Sequence, residues 1–237
     1  MPLPTMSTPT YELTVPSTKQ KIKYRPFLVK EEKALMLAQQ SENQLTMIDT
    51  LKSIIKECTF GKLDVDKLAI FDIEYIFVQL RAKSVGEISE LIYSCMQCGD
   101  PKAKMHINVD LTKLEVVFNP EHTKDILLFD DVGIKMKYPG MSALSRNVGV
   151  TEGSIEFLDN MIIDSIDCIY DDNSVYVAAE QTREELEEFI NNLTQEQFSK
   201  IENFFDTMPK LEKKLEFDCP VCKYHHLKTI QGIDDFF

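Results

Sequence analysis

Two Cys-x-x-Cys pairs constrain this chain more than any other feature: Cys95-Met96-Gln97-Cys98 near the middle and Cys219-Pro220-Val221-Cys222 near the end. A two-residue gap lets one tight turn aim both sulfurs at a single ion, and two such turns supply the four thiolates of a closed tetrahedral zinc site. The pairs are separated by more than a hundred residues, so a shared ion would tie the middle of the chain to its end. Gly99 after the first pair frees the backbone for a tight turn, and Pro220 stiffens the second. Apolar, β-prone residues precede both turns, Ile88, Leu91, Ile92 and Tyr93 before one and Leu215 and Phe217 before the other, as for strands running into zinc knuckles. The alternatives are two independent turns, unrelated buried cysteines and a reversible dithiol. The βαβ pattern that would favour the dithiol is not visible.

The charge excludes some partners. With 26 basic and 39 acidic residues the formal charge is −13, which repels phosphate backbones and anionic membrane surfaces. Nucleic acid and membrane are therefore not expected as partners. No apolar run reaches the roughly 18 residues of a spanning helix, and the start Met1-Pro2-Leu3-Pro4 lacks the basic and apolar regions of a signal peptide. The expected setting is a reducing cytoplasm, where paired cysteines favour metal over disulfide. A chain of 237 residues with 43% hydrophobic content can fill a core.

Five of the ten prolines fall within residues 1–26, which reads as an extended N-terminal arm. Two alternating runs lie inside it, Tyr11 to Val15 and Lys19 to Tyr24, and such an arm could add a strand to a neighbouring chain. Residues 27–93 read as helical. A first helix is expected around Ala34, Leu35 and Leu37. Ser41-Glu42-Asn43-Gln44 matches a capping box, opening a second helix with Leu45, Ile48, Leu51, Ile54 and Ile55 on one face. Cys58 at its end has no base nearby and reads as packing. A third helix carries Ile70, Ile73, Phe77 and Leu80 inward, with Asp72, Glu74, Arg81 and Lys83 on the side expected to be solvated. Arg81 is also a candidate for a carboxylate contact, and Gly86 for the stop.

This third helix, the run Phe71-Asp72-Ile73-Glu74-Tyr75-Ile76-Phe77-Val78-Gln79-Leu80-Arg81-Ala82-Lys83-Ser84-Val85-Gly86-Glu87, resembles the signature of the T4-type bacteriophage baseplate hub family, which holds a hub subunit and a related hub assembly factor. The CxxC behind it and Phe217-Asp218-Cys219-Pro220-Val221-Cys222 resemble that family too. The resemblance implies a non-enzymatic phage protein needed to build the hub of a contractile-tail baseplate. Its implied partners are other hub or tail proteins, and its setting is the host cytoplasm during assembly or the virion tail. It carries no catalytic residue across and leaves open the oligomeric state and whether the protein stays in the particle.

Residues 94–140 and 210–237 read as a β region bearing the knuckles. Met105, Ile107 and Val109 alternate with His106, Asn108 and Asp110; Leu114 to Phe118 and Gly133 to Tyr138 are further strand candidates. His106 and His122 read as surface residues. Residues 141–209 read as helical, with Ile155, Leu158, Ile162, Ile163 and Ile166 at helical spacing and capping boxes at Thr182 to Glu185 and Thr194 to Gln197. Asp171-Asp172-Asn173-Ser174 lacks EF-hand spacing. Glu184, Glu185, Glu187 and Glu188 suit the positive end of a helix dipole, with a docking face for a basic partner as the alternative. Lys210 to Phe217 returns as a strand. His225 and His226 could replace a thiolate, and Phe236 and Phe237 could fold back or anchor in a neighbour.

The expected fold is thus α+β, one compact unit with amphipathic helices around a small antiparallel sheet and a zinc knot of Cys95, Cys98, Cys219 and Cys222. No phosphate loop, HExxH or activated nucleophile is present in the sequence, and a four-thiolate zinc leaves no position for a reactive water. The expected function is structural or assembly work by contact, with structural Zn2+. The other classes considered are a zinc-stabilised adaptor for host or phage regulatory proteins and a redox-sensing chaperone.

Overall fold

The computed structural model describes residues 7–233; Pro2, Pro4, Phe236 and Phe237 lie outside them. The chain begins with strands β1 (Tyr11–Thr14) and β2 (Lys21–Tyr24), then helices α1 (Val29–Gln40), α2 (Gln44–Cys58) and α3 (Ile70–Ser84). Strands β3 (Ile88–Ser94), β4 (Lys104–Asp110), β5 (Val116–Val117), β6 (Asp125–Phe129) and β7 (Val132–Met136) follow. Next come α4 (Met141–Arg146), α5 (Ile155–Asp164), β8 (Ile166–Tyr170), β9 (Val175–Val177), α6 (Arg183–Asn191), α7 (Gln195–Thr207), β10 (Lys210–Asp218) and β11 (His225–Gln231). The fold class is α+β, as expected. Among the described residues the strands form four small antiparallel sheets.

Two compact units emerge. Among the described residues the first holds 7–65, then Phe71–Val117, then 210–233; the second holds Asp66–Ile70 and Phe118–Pro209. The strands expected near residue 134 therefore lie in a different unit from the knuckles.

In the first unit the expected extended arm is a hairpin. β1 and β2 pair with each other, Leu13 opposite Ile22 and Tyr11 opposite Tyr24, and Leu13, Val15, Ile22 and Tyr24 are buried. Alternation identified both strands, but their partner is local because residues 15–20 turn back, with the Lys19 N–H donating to the Val15 carbonyl. Arg25, just beyond, is buried and donates to Glu31 Oε1 at 2.8 Å, while Glu31 Oε2 accepts from the Leu28 N–H at 2.7 Å and so closes the start of α1.

The second helix is capped differently from expectation. Asn43, not Ser41, accepts the N–H of Thr46; Ser41 ends α1 by donating its hydroxyl to the Ala38 carbonyl. Burial in α2 concentrates at Ile54, Ile55 and Cys58, while Leu45 stays exposed. Cys58 is fully enclosed, and burial pushes its thiol up to about 11, which suits packing and not nucleophilic work.

α3 is the core helix that its apolar run demands, with Phe71, Ile73, Ile76, Phe77, Val78, Leu80 and Ala82 buried. Its polar side is only partly solvated. Asp72 is fully buried and holds Ser17, and Gln79 donates to the Leu111 carbonyl at 3.1 Å. Arg81 donates to the Gly86 carbonyl. Helix periodicity marks one face; only neighbours on the other face reveal that it too is covered.

The second unit is a four-stranded meander in the order β6-β7-β8-β9. Its core joins Ile126, Leu128, Ile134, Met136, Ile166 and Ile169 of the sheet to Ile162, Ile163, Leu186, Ile190, Ile201 and Phe204 of α5, α6 and α7. The stretch expected to be helical throughout is interrupted by β8 and β9. The helical spacing ends at Asp164, where Ser165 caps α5, and Ile166 opens a strand. Ile166 and Ile169 serve the strand's buried face, and β-branched residues suit that pleated surface. Both later capping boxes are present as expected, Thr182 with Glu185 and Thr194 with Gln197. Asp171 holds the β8–β9 turn by accepting the N–H groups of Asn173 and Ser174.

His122 is a correction. Expected on the surface, it joins a three-ring cluster, stacked on Tyr138 and tilted against Phe204 with ring centroids 5.6 and 5.0 Å away, and its Nδ1 lies 3.0 Å from Thr207 Oγ1. Burial and the nearby Lys124 charge lower its pKa. No helix among the described residues is long and apolar enough to cross a membrane.

Candidate metal centre

The four cysteines sit at the tips of two β-hairpins in the first unit. β3 and β4 pair from Ile88 opposite Asp110 to Ser94 opposite Lys104, and the next residue is Cys95. β10 and β11 pair from Glu212 opposite Gln231 to Asp218 opposite His225, and the next residue is Cys219. Each tip repeats one backbone pattern. The Cys95 N–H donates to the Ala103 carbonyl and the Gly99 N–H returns to the Cys95 carbonyl; the Cys219 N–H donates to the Tyr224 carbonyl and the Lys223 N–H returns to the Cys219 carbonyl. The residue after each second cysteine is left-handed, Gly99 at φ +61° and Lys223 at φ +62°. Glycine adopts that conformation freely, whereas the lysine must be held there by its turn.

The sulfurs of Cys95, Cys98, Cys219 and Cys222 all lie within 4.8 Å of one another. Across the hairpins, Cys95 and Cys222 are 3.8 Å apart and Cys98 and Cys219 are 3.9 Å apart. A tetrahedron with Zn–S bonds of about 2.3 Å has edges of about 3.8 Å, so these cross-hairpin separations fit one tetrahedral ion. Cys95 and Cys219 are buried and Cys98 and Cys222 exposed. The thiol environments are unequal. Burial opposes ionisation of Cys219, but the N–H groups of Cys222 and Val221 and the neighbouring sulfurs bring it down to about 7. The Tyr224 N–H lowers Cys222, yet burial and the other three sulfurs outweigh it and push it up to about 12. Four adjacent thiolates need a cation to coexist, and the donor set is the soft, all-sulfur one that suits zinc.

A small packed layer supports the tips. Cys95, Ala103, Met105 and Cys219 form a buried cluster flanked by Tyr93, Ile107 and Phe217. Tyr93 stacks on Phe217 at 5.4 Å and Phe217 on His226 at 5.3 Å. Neither histidine candidate joins the sulfurs: His225 Nδ1 faces Asp218 Oδ1 at 2.8 Å, and His226 belongs to the aromatic stack. His106 pairs with Glu90 on the exposed side of β3 and β4. β11 falls within residues 210–237, read as β from the sequence, but its limits were not legible there because Lys228 and Thr229 break its alternation. Its pairing with β10 is the signal, and that is tertiary information.

The family model described as T4 bacteriophage base plate protein matches residues 8–237 of this chain. The chain belongs to that family. The baseplate match runs well beyond the helix and the two knuckles that carried the resemblance. As a phage baseplate protein the chain has the virion tail as its setting and other tail or baseplate proteins as its neighbours. Searches among curated proteins and among solved structures gave no match.

Proposed function

We propose that this baseplate protein is a structural or assembly component of the hub of a contractile tail, acting through contacts with other hub or tail proteins and not by turnover. The family match over residues 8–237 carries this reading. Cys95, Cys98, Cys219 and Cys222 would hold a structural Zn2+, which when bound cross-links the two hairpin tips. The chain's own contribution is to present four sulfurs at tetrahedral spacing and to back them with the Tyr93–Phe217 layer. Four protein ligands complete zinc's usual coordination, so the site suits scaffolding and not hydrolysis. Binding energy of the metal is then folding energy of the hairpin pair.

Assembly takes place in the host cytoplasm, where the reducing environment keeps the thiols available to metal. The mechanism is mass action: a partner that binds the folded form stabilises it and lets later subunits add. The test is a phage lacking the gene, examined for baseplates, together with the protein's copy number in purified virions and in free baseplate intermediates. Absent baseplates are the expected result. Intact tails with altered gene expression would overturn the proposal in favour of a regulatory adaptor.

A further inference from the structure

In the second unit α5 and α6 flank an open cleft of about 730 Å³. Its walls carry Ile155, Ile163 and Ile190, and Ile155 is 79% exposed. The two arginines of the cleft are already committed. Arg183 donates to Glu187 and to the Asn160 side-chain oxygen, each at 2.6 Å, and Arg146 pairs with Asp164 at 2.9 Å. Glu156 and Asp159 are left as carboxylates with no cation against them among the described residues. The cleft is therefore largely polar, with Ile155 exposed at its edge, Ile163 and Ile190 buried in its floor, and two carboxylates that no cation answers.

We propose that this cleft receives a basic amphipathic helix of a partner protein, with the partner's apolar side on Ile155 and its lysines or arginines against Glu156 and Asp159. The ten residues of α5 give a track of about 15 Å, the length of almost three helical turns. Helix-in-groove recognition needs an apolar floor for residues at three- and four-residue spacing, and opposite charges at the rim set orientation and exclude wrong partners. A second copy of this chain offering the same face would set carboxylates against carboxylates, so the charge favours a cationic partner over self-pairing. The inference rests on the reading that the chain works through protein contacts and names one such contact.

The test uses the full chain and fluorescent synthetic helices of 18 residues, one with Leu and Lys at helical spacing and one with Glu replacing every Lys. Anisotropy titration should show the Lys peptide binding at least about tenfold tighter, with the difference shrinking as salt rises. Ile155→Asp, and separately Glu156→Lys with Asp159→Lys, should each weaken it about tenfold, while Asp49→Lys on α2 should not. All these positions but Asp159 are exposed, and thermal melts verify that each variant folds. Equal binding of the two peptides, equal loss with Asp49→Lys, or a dimer in sedimentation that depends on Ile155 would overturn the proposal. Phage complementation separates the two readings. Normal tails from the Glu156→Lys, Asp159→Lys variant would overturn the cleft alone, whereas normal tails without any copy of the gene would overturn the baseplate role itself.

Discussion

Asp72, fully buried on the core helix α3, accepts both the backbone N–H of Ser17 at 2.9 Å and the Ser17 hydroxyl. One carboxylate thereby fixes the turn between β1 and β2 to the helix that anchors the first unit. Asp72→Ala should leave the Ser17 groups without their partner at a cost of about 1–3 kcal/mol. Hydrogen exchange should rise across residues 11–24 more than across α2. Unchanged exchange in the hairpin would show that its apolar contacts suffice without the tie.

The zinc reading makes a compositional prediction. Purified protein should contain about one zinc per chain by elemental analysis, and a strong chelator should remove it with loss of protease resistance at residues 88–110 and 210–231. Cys219→Ser, which removes a buried ligand, should give zinc-poor, protease-sensitive protein. A Cys219→Ser protein with unchanged zinc content and melting temperature would defeat the metal assignment.

Acid should weaken the first unit through Glu31. Burial alone would raise this carboxyl, but the Arg25 guanidinium and the Leu28 N–H outweigh it and hold it below the ordinary value of 4.5. A depressed folded-state pKa stabilises fully above the unfolded value and is lost as pH falls through the folded one. Stability should therefore decline below about pH 4.5, and Glu31→Gln should flatten that part of the curve. The same variant leaves Arg25 buried without its counter-charge, at a cost on the order of 3 kcal/mol at neutral pH. A Glu31→Gln melting temperature equal to wild type at pH 7 would contradict the pairing.

Helix starts in the second unit offer a cleaner measurement. Thr182→Ala and Thr194→Ala each remove a side-chain acceptor for the third helical N–H, and each should cost about 1 kcal/mol in denaturant unfolding. Thr182→Ser and Thr194→Ser should restore most of it. An effect of the alanine variants that serine fails to rescue would point to lost methyl packing in place of lost caps.

Features written in adjacent residues were legible. Thr182 with Glu185 and Thr194 with Gln197 cap as their spacing dictates, because the partners are three residues apart and the bond closes within one turn. Gly99 turns as its missing Cβ permits. Ser41 shows the limit of such reasoning: the same local pattern was satisfied by Asn43, two residues on, while the serine hydroxyl closed the preceding helix. Asp72 and His122 were misplaced because a polar residue's burial depends on partners far away in sequence, Ser17 for one and Thr207 for the other. Ile166 was misassigned because an apolar residue fits a helical stripe and a strand face equally well until its neighbours are known.

The sequence by itself determined the donor chemistry of the four-cysteine cluster, the core helix from Phe71 to Ser84 and the family to which the chain belongs, since these reside in residue types and short spacings. Only the tertiary structure decided that the two cysteine turns meet, that residues 118–209 build their own sheet and core, and that α5 and α6 flank an open cleft. Each of those depends on contacts between residues tens to more than a hundred positions apart. Local propensity is blind at that range, and packing alone selects the pairing.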